Sequence, residues 1–474
     1  MERRKFIQNT ALFTGLTFIN PLDIIAGTTS KDFPVVRIPE GERNFRSTII
    51  EKMIKEFQKN VKDEELGWLF NNCFPNTLDT TVTYSEKNGK PDTYVITGDI
   101  DAMWLRDSSA QVWPYMAFTD KDEKLKNLIA GVINRQTQYI LKDPFANAFY
   151  DDPDKKGEWF SDQTDMKPGV HERKWEIDSL CYPIRLGYNY WKTTGDSSPF
   201  DKSWEKAIKS ILNVFKDQQK KEDRGSYSFQ RNTPKATDTR ALHGYGYPVN
   251  PVGLICSAFR PSDDASVYSF LIPSNFFAVV SLKQAAEMMT EISNDPETAA
   301  ELISLKDEVE AALKKHAVVD HDKYGKIYAF EVDGFGNRLM MDDANVPSLL
   351  SLPYLDAVDS ADPIYQNTRK FVLSKDNPFY FEGKAAKGIG GPHVGMDMIW
   401  PMAITMQGLT SNSDKEIREC IKTLKSTHAG TGFMHETFHK DDPSDFTRSW
   451  FAWANTLFGE FLWETYKKNP SLLS

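Results

Sequence analysis

Apolar residues recur at helical spacing along most of this chain of 474 residues, as at Phe277, Val280, Ala285 and Met289. The pattern predicts helices over residues 46–60, 104–118, 122–141, 174–193, 202–221, 274–292, 297–316, 346–355, 364–373, 392–408, 413–427 and 448–467. Strand-like stretches are short and few, over residues 82–84, 94–96 and 327–330. The sequence therefore predicts a chain built mainly of helices.

The helices follow one another without a recognisable linker, which predicts a single domain over residues 31–474. About twelve helices pair into about six helical hairpins, and six hairpins can close into an (α/α)6 toroid. A helical bundle or a solenoid fits the same number of helices equally well. We expect an all-α fold, an (α/α)6 toroid with minor β segments in its loops.

The N-terminus has the features of an export signal. Arg3 and Arg4 precede a short apolar run that ends near Ala26, and adjacent arginines resemble a twin-arginine signal. We expect residues 1–30 to be an export signal or a disordered N-terminus, and the protein to be periplasmic or secreted. The run is interrupted by Pro21, and no later run reaches ~18 apolar residues, so no membrane span is expected.

Charge and composition narrow the possible partners. The formal net charge is −10 and no basic stripe is present, which argues against nucleic acid. The four cysteines are scattered, so they predict neither a disulfide framework nor a zinc site. Aromatic residues reach 12%, and many lie in long loops beside Asp, Arg and His. Such loops suit a sugar, because its C–H groups pack on rings while its hydroxyls bond charged groups.

Residues 98–113 form one such segment, GDIDAMWLRDSSAQVW, and hold Asp101, Trp104, Arg106 and Asp107. If the helix begins near residue 103, Arg106 and Asp107 lie in its first turn, at the mouth of a hairpin. Acids at a helix N-terminus stabilise the helix dipole, which explains Asp99 or Asp101. The dipole does not explain why Trp, Arg and a further Asp follow so closely. Asp101, Trp104, Arg106 and Asp107 are therefore candidates for substrate binding.

A second acidic segment, RPSDDASVYSFLIPSN, begins at Arg260. Its adjacent aspartates, Asp263 and Asp264, precede a helix that starts near Pro273. Adjacent side chains in a turn point in different directions, so at most one aspartate should face a substrate and the other should cap or brace the loop. Arg260 is a further candidate for substrate binding.

Two more predicted helices begin with candidate residues. Glu176 and Asp178 open one of them, in the sequence WEID, where ordinary first-turn acids are an equal interpretation. His393 and Asp397 lie in GIGGPHVGMDMIW, four residues apart at the predicted start of the other. The glycines there permit a ligand to approach the backbone closely. We include all four residues as candidates for substrate binding.

The segment GTGFMHETFH permits two interpretations. Taken literally, His435, Glu436 and His439 form the H-E-x-x-H signature of zinc peptidases, whose two histidines must lie one turn apart on a helix. Glycines precede the motif and Asp-Asp-Pro follows it, which leaves about ten residues for a helix with a breaker at each end. We favour a loop that presents Glu436, with His435 as a substrate contact.

The motifs GDIDAMWLRDSSAQ, FRPSDDAS, GGPHVGMDMIWPM and GTGFMHETF stand in this order, and together they resemble glycoside hydrolase family 125. The resemblance runs from about residue 45 to 465. It implies an (α/α)6 toroid that releases mannose from the non-reducing ends of α-1,6-linked mannosides with inversion, and it implies no metal or other cofactor. It also implies a general base at Glu436 and a general acid at Asp263, with Asp264 as the alternative.

The residues agree with this interpretation on chemical grounds. Glycoside hydrolysis needs a proton for the leaving oxygen and activation of the attacking water, and two carboxyl groups from distant loops supply both. Arg106 and His393 would hold sugar hydroxyls, and Trp104 would form a wall of the pocket. Two alternatives stay open: a zinc peptidase that uses His435 and His439, and a non-catalytic protein that binds a mannose-containing oligosaccharide.

Overall fold

Helices make up most of the ordered structure in residues 33–474, which are the residues that this computed structural model describes. The α-helices are α1 (Thr48–Asn60), α2 (Glu64–Cys73), α3 (Asn76–Thr80), α4 (Leu105–Val112), α5 (Glu123–Lys142), α6 (Ile177–Thr194), α7 (Lys202–Asp217), α8 (Ile272–Glu291), α9 (Pro296–His316), α10 (Pro363–Val372), α11 (Pro401–Leu409), α12 (Asp414–Ser426) and α13 (Ala452–Lys468). Residues 1–30 lie outside the described residues, so export stays a prediction.

The strands are short, and they form small sheets in the loops between helices. They are β1 (Val82–Lys87), β2 (Lys90–Val95), β3 (Met103–Trp104), β4 (Ala148–Phe149), β5 (Val170–Glu172), β6 (Phe270–Leu271), β7 (Val318–His321), β8 (Gly325–Tyr328), β9 (Glu331–Val332), β10 (Arg338–Leu339), β11 (Tyr380–Glu382), β12 (Lys387–Ile389), β13 (Met398–Ile399), β14 (Thr437–His439) and β15 (Asp442–Thr447). The three predicted strand segments overlap β1, β2 and β8.

The helices pair into hairpins that form an inner and an outer ring. Contacts run along the inner ring through α8, α6, α4, α13 and α11, and outer helices such as α9 and α12 pack behind them. The turns of residues 346–355 take the sixth inner position. There the Val346 carbonyl accepts a hydrogen bond from Tyr182 of α6, and the Leu350 carbonyl accepts one from Tyr365 of α10. The predicted (α/α)6 toroid with minor β segments is confirmed.

Several helix predictions need correction. Residues 346–355 form turns rather than a helix, because Pro347 and Pro353 interrupt the backbone hydrogen bonds of a helix. Helix α11 begins later than predicted, at Pro401, since glycines precede it and proline favours the first helical position. Helix α2 was not predicted, although Asp63 caps its N-terminus with a side-chain oxygen.

Buried apolar side chains from both rings form one continuous core. The outer helix α7 illustrates the pattern, because Trp204, Ile208, Ile211 and Phe215 are buried on one of its faces. The four cysteines are buried and free. Among residues 33–474 no helix is long and apolar enough to cross a membrane. The packing of this core fixes where each inner helix begins.

Gly459 tests how tightly α13 packs against the end of α2. A Cβ atom on Gly459 would lie 2.7 Å from the Cα atom of Phe74, and that backbone atom cannot move aside. Alanine is normally better than glycine in a helix by ~1 kcal/mol. Here we expect Gly459→Ala to lower the free energy of unfolding by about 1–3 kcal/mol, because it overpacks the core.

The measurement is urea unfolding of the variant beside a matched control. Gly41→Ala is the control, because a Cβ atom there has no neighbour within 4 Å. It should unfold at the wild-type urea concentration. Equal unfolding midpoints for Gly459→Ala and the wild type would contradict the close packing of α13 on Phe74.

Candidate active site

Most candidate residues gather where the inner helices begin. Inner and outer elements alternate along the chain, so the inner helices run in the same direction and their N-termini meet at one end of the toroid. The positive ends of their dipoles lie there too, which favours carboxylates. The residues at this end, with the helix that each opens or precedes, are Arg106 and Asp107 for α4, Glu176 and Asp178 for α6, Asp263 and Asp264 for α8, His393 for α11 and Glu436 for α13.

Arg106 is the centre of a buried cluster of carboxyl groups. Its Nη1 atom lies 2.5 Å from Oε2 of Glu176 and 3.2 Å from Oδ2 of Asp178, and its Nη2 atom lies 3.1 Å from Oδ1 of Asp263. Its Nε atom lies 3.5 Å from Oδ2 of Asp107. The side chain of Arg106 is 3% exposed, and those of Glu176 and Asp178 are 0% exposed. Four carboxyl groups around one guanidinium favour the uptake of protons by the cluster.

Burial is the largest cause that acts on the pKa values of the carboxyl groups in this cluster. It raises the pKa of Asp107 and the pKa of Asp178 to about 6, against the opposing charge of Arg106. Burial also raises the pKa of Glu176 well above its usual range, again against Arg106. At Asp263 burial acts in the same direction, but Arg106 and a buried lysine outweigh it and lower the pKa. Burial therefore favours the protonated form of Glu176 over its carboxylate.

Two polar residues beside Asp263 were not predicted. The Nδ2 atom of Asn147 lies 3.3 Å from Oδ1 of Asp263 and donates a hydrogen bond to Glu172 at 3.1 Å. The buried lysine is Lys174, whose Nζ atom pairs with Glu172 at 3.2 Å and with Asp238 at 2.6 Å. Asn147 stands in no motif, and the only cue for Lys174 is its position just before the WEID segment.

The two adjacent aspartates face different surroundings. Asp263 adopts a φ of 66°, in the left-handed region that aspartate tolerates, and its side chain is 23% exposed. The side chain of Asp264 is 1% exposed, with Lys235 3.4 Å from one carboxyl oxygen and His393 3.4 Å from the other. Ser262 donates a hydrogen bond to Asp264 at 3.1 Å. Of the two, Asp263 has the carboxyl group that a ligand can reach.

Glu436 lies beside the hairpin of β14 and β15 and is in a loop, as predicted. Thr447 Oγ1 donates a hydrogen bond to Glu436 Oε2 at 2.9 Å, and Arg448 Nη1 lies 3.6 Å from Oε1. The side chain of Glu436 is 13% exposed. The hairpin therefore holds both carboxylate oxygens while it leaves one side of the group open.

Arg448 is a site residue that was not predicted. It donates a hydrogen bond to the Thr97 carbonyl at 3.3 Å and pairs with Asp99, so it connects the hairpin to the loop before α4. Residues 448–467 were predicted to be helical, but α13 begins at Ala452. The apolar pattern placed Arg448 in a helix, so the sequence did not indicate that it contacts the carboxylate of Glu436.

The H-E-x-x-H segment does not form the helix that a zinc peptidase needs. His435 and Glu436 are in a loop, and β14 follows directly and ends at His439. Residues four apart in extended chain lie about 13 Å from each other, which is too far for the two imidazoles to share an ion. His435 is buried and stacks on Phe446, with ring centroids 3.9 Å apart. Within residues 33–474 no group of three or more His, Cys, Asp or Glu side chains is placed to hold a metal.

Four other predicted substrate contacts have side chains whose described partners are not the four carboxyl groups around Arg106. Trp104 is nearly buried against His171, with ring centroids 5.0 Å apart. Arg260 is buried in an ion pair with a glutamate at 2.7 Å. Asp101 and Asp397 are exposed, and each lies near a lysine, at 3.1 and 3.6 Å. No contact described for these four reaches the carboxyl groups around the guanidinium.

The chain matches a known enzyme family along most of its length. Residues 63–463 match the profile of the metal-independent α-mannosidases, GH125. The meiotically up-regulated gene 157 protein of Schizosaccharomyces pombe is 42% identical over 451 residues, which cover 91% of this chain and 88% of that protein.

Solved structures agree in fold. A metal-independent α-mannosidase of Streptococcus pneumoniae, in a non-productive complex with α-1,6-mannobiose, is 41% identical with a TM-score of 0.86. The match covers 90% of this chain and 100% of that one. A bacterial glucoamylase in complex with acarbose is 12% identical, with a TM-score of 0.53 and coverage of 89% of this chain and 58% of that one. The glucoamylase likeness shows the fold alone.

The family profile and the pneumococcal relative place this helical toroid, with partly exposed carboxyl groups from separate loops at one end, among the glycoside hydrolases. The chain belongs to glycoside hydrolase family 125 and is an α-mannosidase. A zinc peptidase and a non-catalytic sugar-binding protein, the two alternatives from the sequence, are thereby set aside.

The contact between Asp264 and His393 gives a prediction about pH. Burial lowers the pKa of His393, but the hydrogen bond and negative charge of Asp264 outweigh it, and the pKa is raised above 6.5. Lys235 opposes Asp264, and Glu436 acts with it. Asp264→Asn removes the main negative charge and its hydrogen bond, so the pKa of His393 should fall.

The measurement is an NMR titration of protein with labelled histidine, with the His393 signal assigned from its loss in His393→Gln. Asp397→Asn is the matched control, because this exposed acid on the same loop pairs with Lys440 and not with the imidazole. An unchanged pKa of His393 in Asp264→Asn would contradict the described pairing.

Proposed function

We propose that this protein is an exo-acting α-1,6-mannosidase that removes single mannose units from non-reducing ends with inversion. The observation that carries the proposal is the arrangement of Asp263 and Glu436. Their carboxyl groups come from loops far apart in sequence, and both keep part of their surface exposed at one end of the toroid. The imidazole of His393 interacts electrostatically with both of them. Glycoside hydrolysis requires one acid and one base, and two carboxyl groups on separate loops can supply both.

The choice of substrate rests on the pneumococcal relative, whose structure contains α-1,6-mannobiose. An identity of 41% over the whole of that chain supports the same sugar and linkage here. Exo action is supported by Arg448, which bridges the Glu436 hairpin to Asp99 in the loop before α4. A bridge beside the Glu436 carboxylate limits access from that side, which favours the end of a glycan over its middle.

In the proposed reaction Glu436 takes a proton from water, and Asp263 gives a proton to the leaving oxygen. Inversion requires the two carboxyl groups to stand about 6.5–9.5 Å apart with that water between Glu436 and the sugar. Arg106 orients Asp263, and Thr447 orients Glu436. Asp264 is less suited to be the acid, because it is buried between Lys235 and His393. No step requires a metal or another cofactor.

Turnover of α-1,6-mannobiose, followed by proton NMR from the first minutes, tests the proposal. The wild type should release β-mannose first, because water attacks from the face opposite the leaving group. Glu436→Gln should lower kcat by about 100- to 10,000-fold, since an amide keeps the shape of the side chain but cannot take the proton. The variant should still bind the disaccharide.

The matched control is Glu464→Gln, which changes a partly exposed glutamate near the other end of α13. It should keep the wild-type rate. Release of α-mannose as the first product, or near-normal turnover by Glu436→Gln, would contradict the proposal.

A further inference from the structure

Glu176 lies beside the proposed acid but has no exposed surface with which to contact a sugar. Its Oε2 atom accepts hydrogen bonds from Arg106 at 2.5 Å and from Ser179 Oγ at 2.8 Å. Its Oε1 atom is buried and accepts no hydrogen bond from a described residue. The carboxyl groups of Glu176 and Asp263 lie next to each other, because both contact the guanidinium of Arg106, at 2.5 and 3.1 Å. A buried carboxylate oxygen without a donor is unfavourable, and a second carboxylate beside it adds repulsion. A proton on Glu176 relieves both.

We infer that Glu176 and Asp263 share one proton, and that Glu176 supplies this proton to Asp263 during cleavage. Glu176 is then a positioning residue that acts through Asp263. The inference rests on the proposed function, in which Asp263 is the general acid. It extends that function by naming the group that stores the catalytic proton between turnovers.

The charges around the pair favour one shared proton over two or none. If both carboxyl groups were protonated, Asp263 would be neutral beside Arg106 and the nearby Lys174. Both of these cations lower the pKa of Asp263, so they favour its carboxylate. With no proton, the fully buried carboxylate of Glu176 would lie beside the carboxylate of Asp263. The titratable and charged groups that face the pair are Arg106 and Asp107 from α4, Asp178 from α6, His171, Glu172 and Lys174 from β5 and the residues after it, and His393 from the loop before α11.

The proton balance of the reaction follows from this arrangement. Before cleavage the proton is on Glu176, and Asp263 and Glu436 are carboxylates. As the glycosidic bond breaks, one proton passes from Glu176 to Asp263 and from Asp263 to the leaving oxygen. Water loses a proton to Glu436 as its oxygen bonds to the anomeric carbon. Glu176 is left as a carboxylate that Arg106 and Ser179 already contact, and exchange with solvent then restores both glutamates.

Glu176→Gln tests the shared proton, because glutamine keeps the shape of the side chain but has no proton to give. The experiment compares kcat/KM across pH for α-1,6-mannobiose and for an aryl α-mannoside, whose leaving group needs little protonation. With the disaccharide, the rate at neutral pH should fall about 10- to 100-fold, and the alkaline limb should move down by about one pH unit or more. The limb moves because, in the variant, Asp263 has no neighbouring carboxyl group to share a proton with, and Arg106 favours its carboxylate. With the aryl mannoside the loss should stay below about 3-fold.

A purely structural role for Glu176 predicts a different result, namely an equal loss on both substrates with an unmoved alkaline limb, and that result would overturn the inference. Glu176→Asp retains a titratable carboxyl group and should keep the limb closer to its wild-type position. If Glu176→Gln does not fold, the dependence of the wild-type kcat/KM on pH tests the inference instead. An alkaline limb for the disaccharide at or above neutral pH is expected, and a limb below about pH 5 would overturn the inference.

Asp263→Asn separates failure of the inference from failure of the proposed function. This variant should slow the disaccharide far more than the aryl mannoside. If it slows both equally, Asp263 is not the acid and the proposed function fails. If it behaves as expected while the alkaline limb of Glu176→Gln stays in place, only the shared proton fails.

Discussion

The active site depends on one interaction, the contact of a single buried guanidinium with four carboxyl groups. Arg106 comes from α4 and meets acids from α4, from α6 and from the loop before α8. Its planar group presents donors in several fixed directions and stays charged at any physiological pH. Without it, carboxyl groups from three parts of the chain would be buried together with no cation between them, which is strongly unfavourable. The position of Asp263 follows from that contact.

The other side of the site depends on a hairpin rather than on a helix. Strands β14 and β15 hold Glu436 beside Thr447 and Arg448, and β13 pairs with β14, so the loop that carries His393 is joined to the same sheet. Arg448 then links this sheet to the loop before α4. The proposed acid and base therefore belong to two separately braced parts of the toroid, which fixes the space between them.

Helical spacing and four motifs were enough to predict the toroid and the loops where the carboxyl groups gather. They were not enough to predict residues 346–355, where apolar spacing is helical but two prolines force turns. The sequence also could not predict which acidic side chains are buried. Glu176 and Asp178 look like ordinary first-turn acids in the sequence, and only the packing around Arg106 removes them from solvent. Protonation depends on that burial, so no motif could indicate which carboxyl group holds a proton.

The central claim is that the shape of the Arg106 guanidinium, and not only its charge, positions the acid. The most direct measurement is kcat of Arg106→Lys on α-1,6-mannobiose, with folding verified by circular dichroism. Lysine keeps the positive charge but cannot contact the separate carboxyl groups in fixed directions. The Arg106→Lys variant should fold, and its kcat should be lower by about 100-fold or more. A folded Arg106→Lys variant with a kcat close to that of the wild type would contradict the positioning role of the guanidinium.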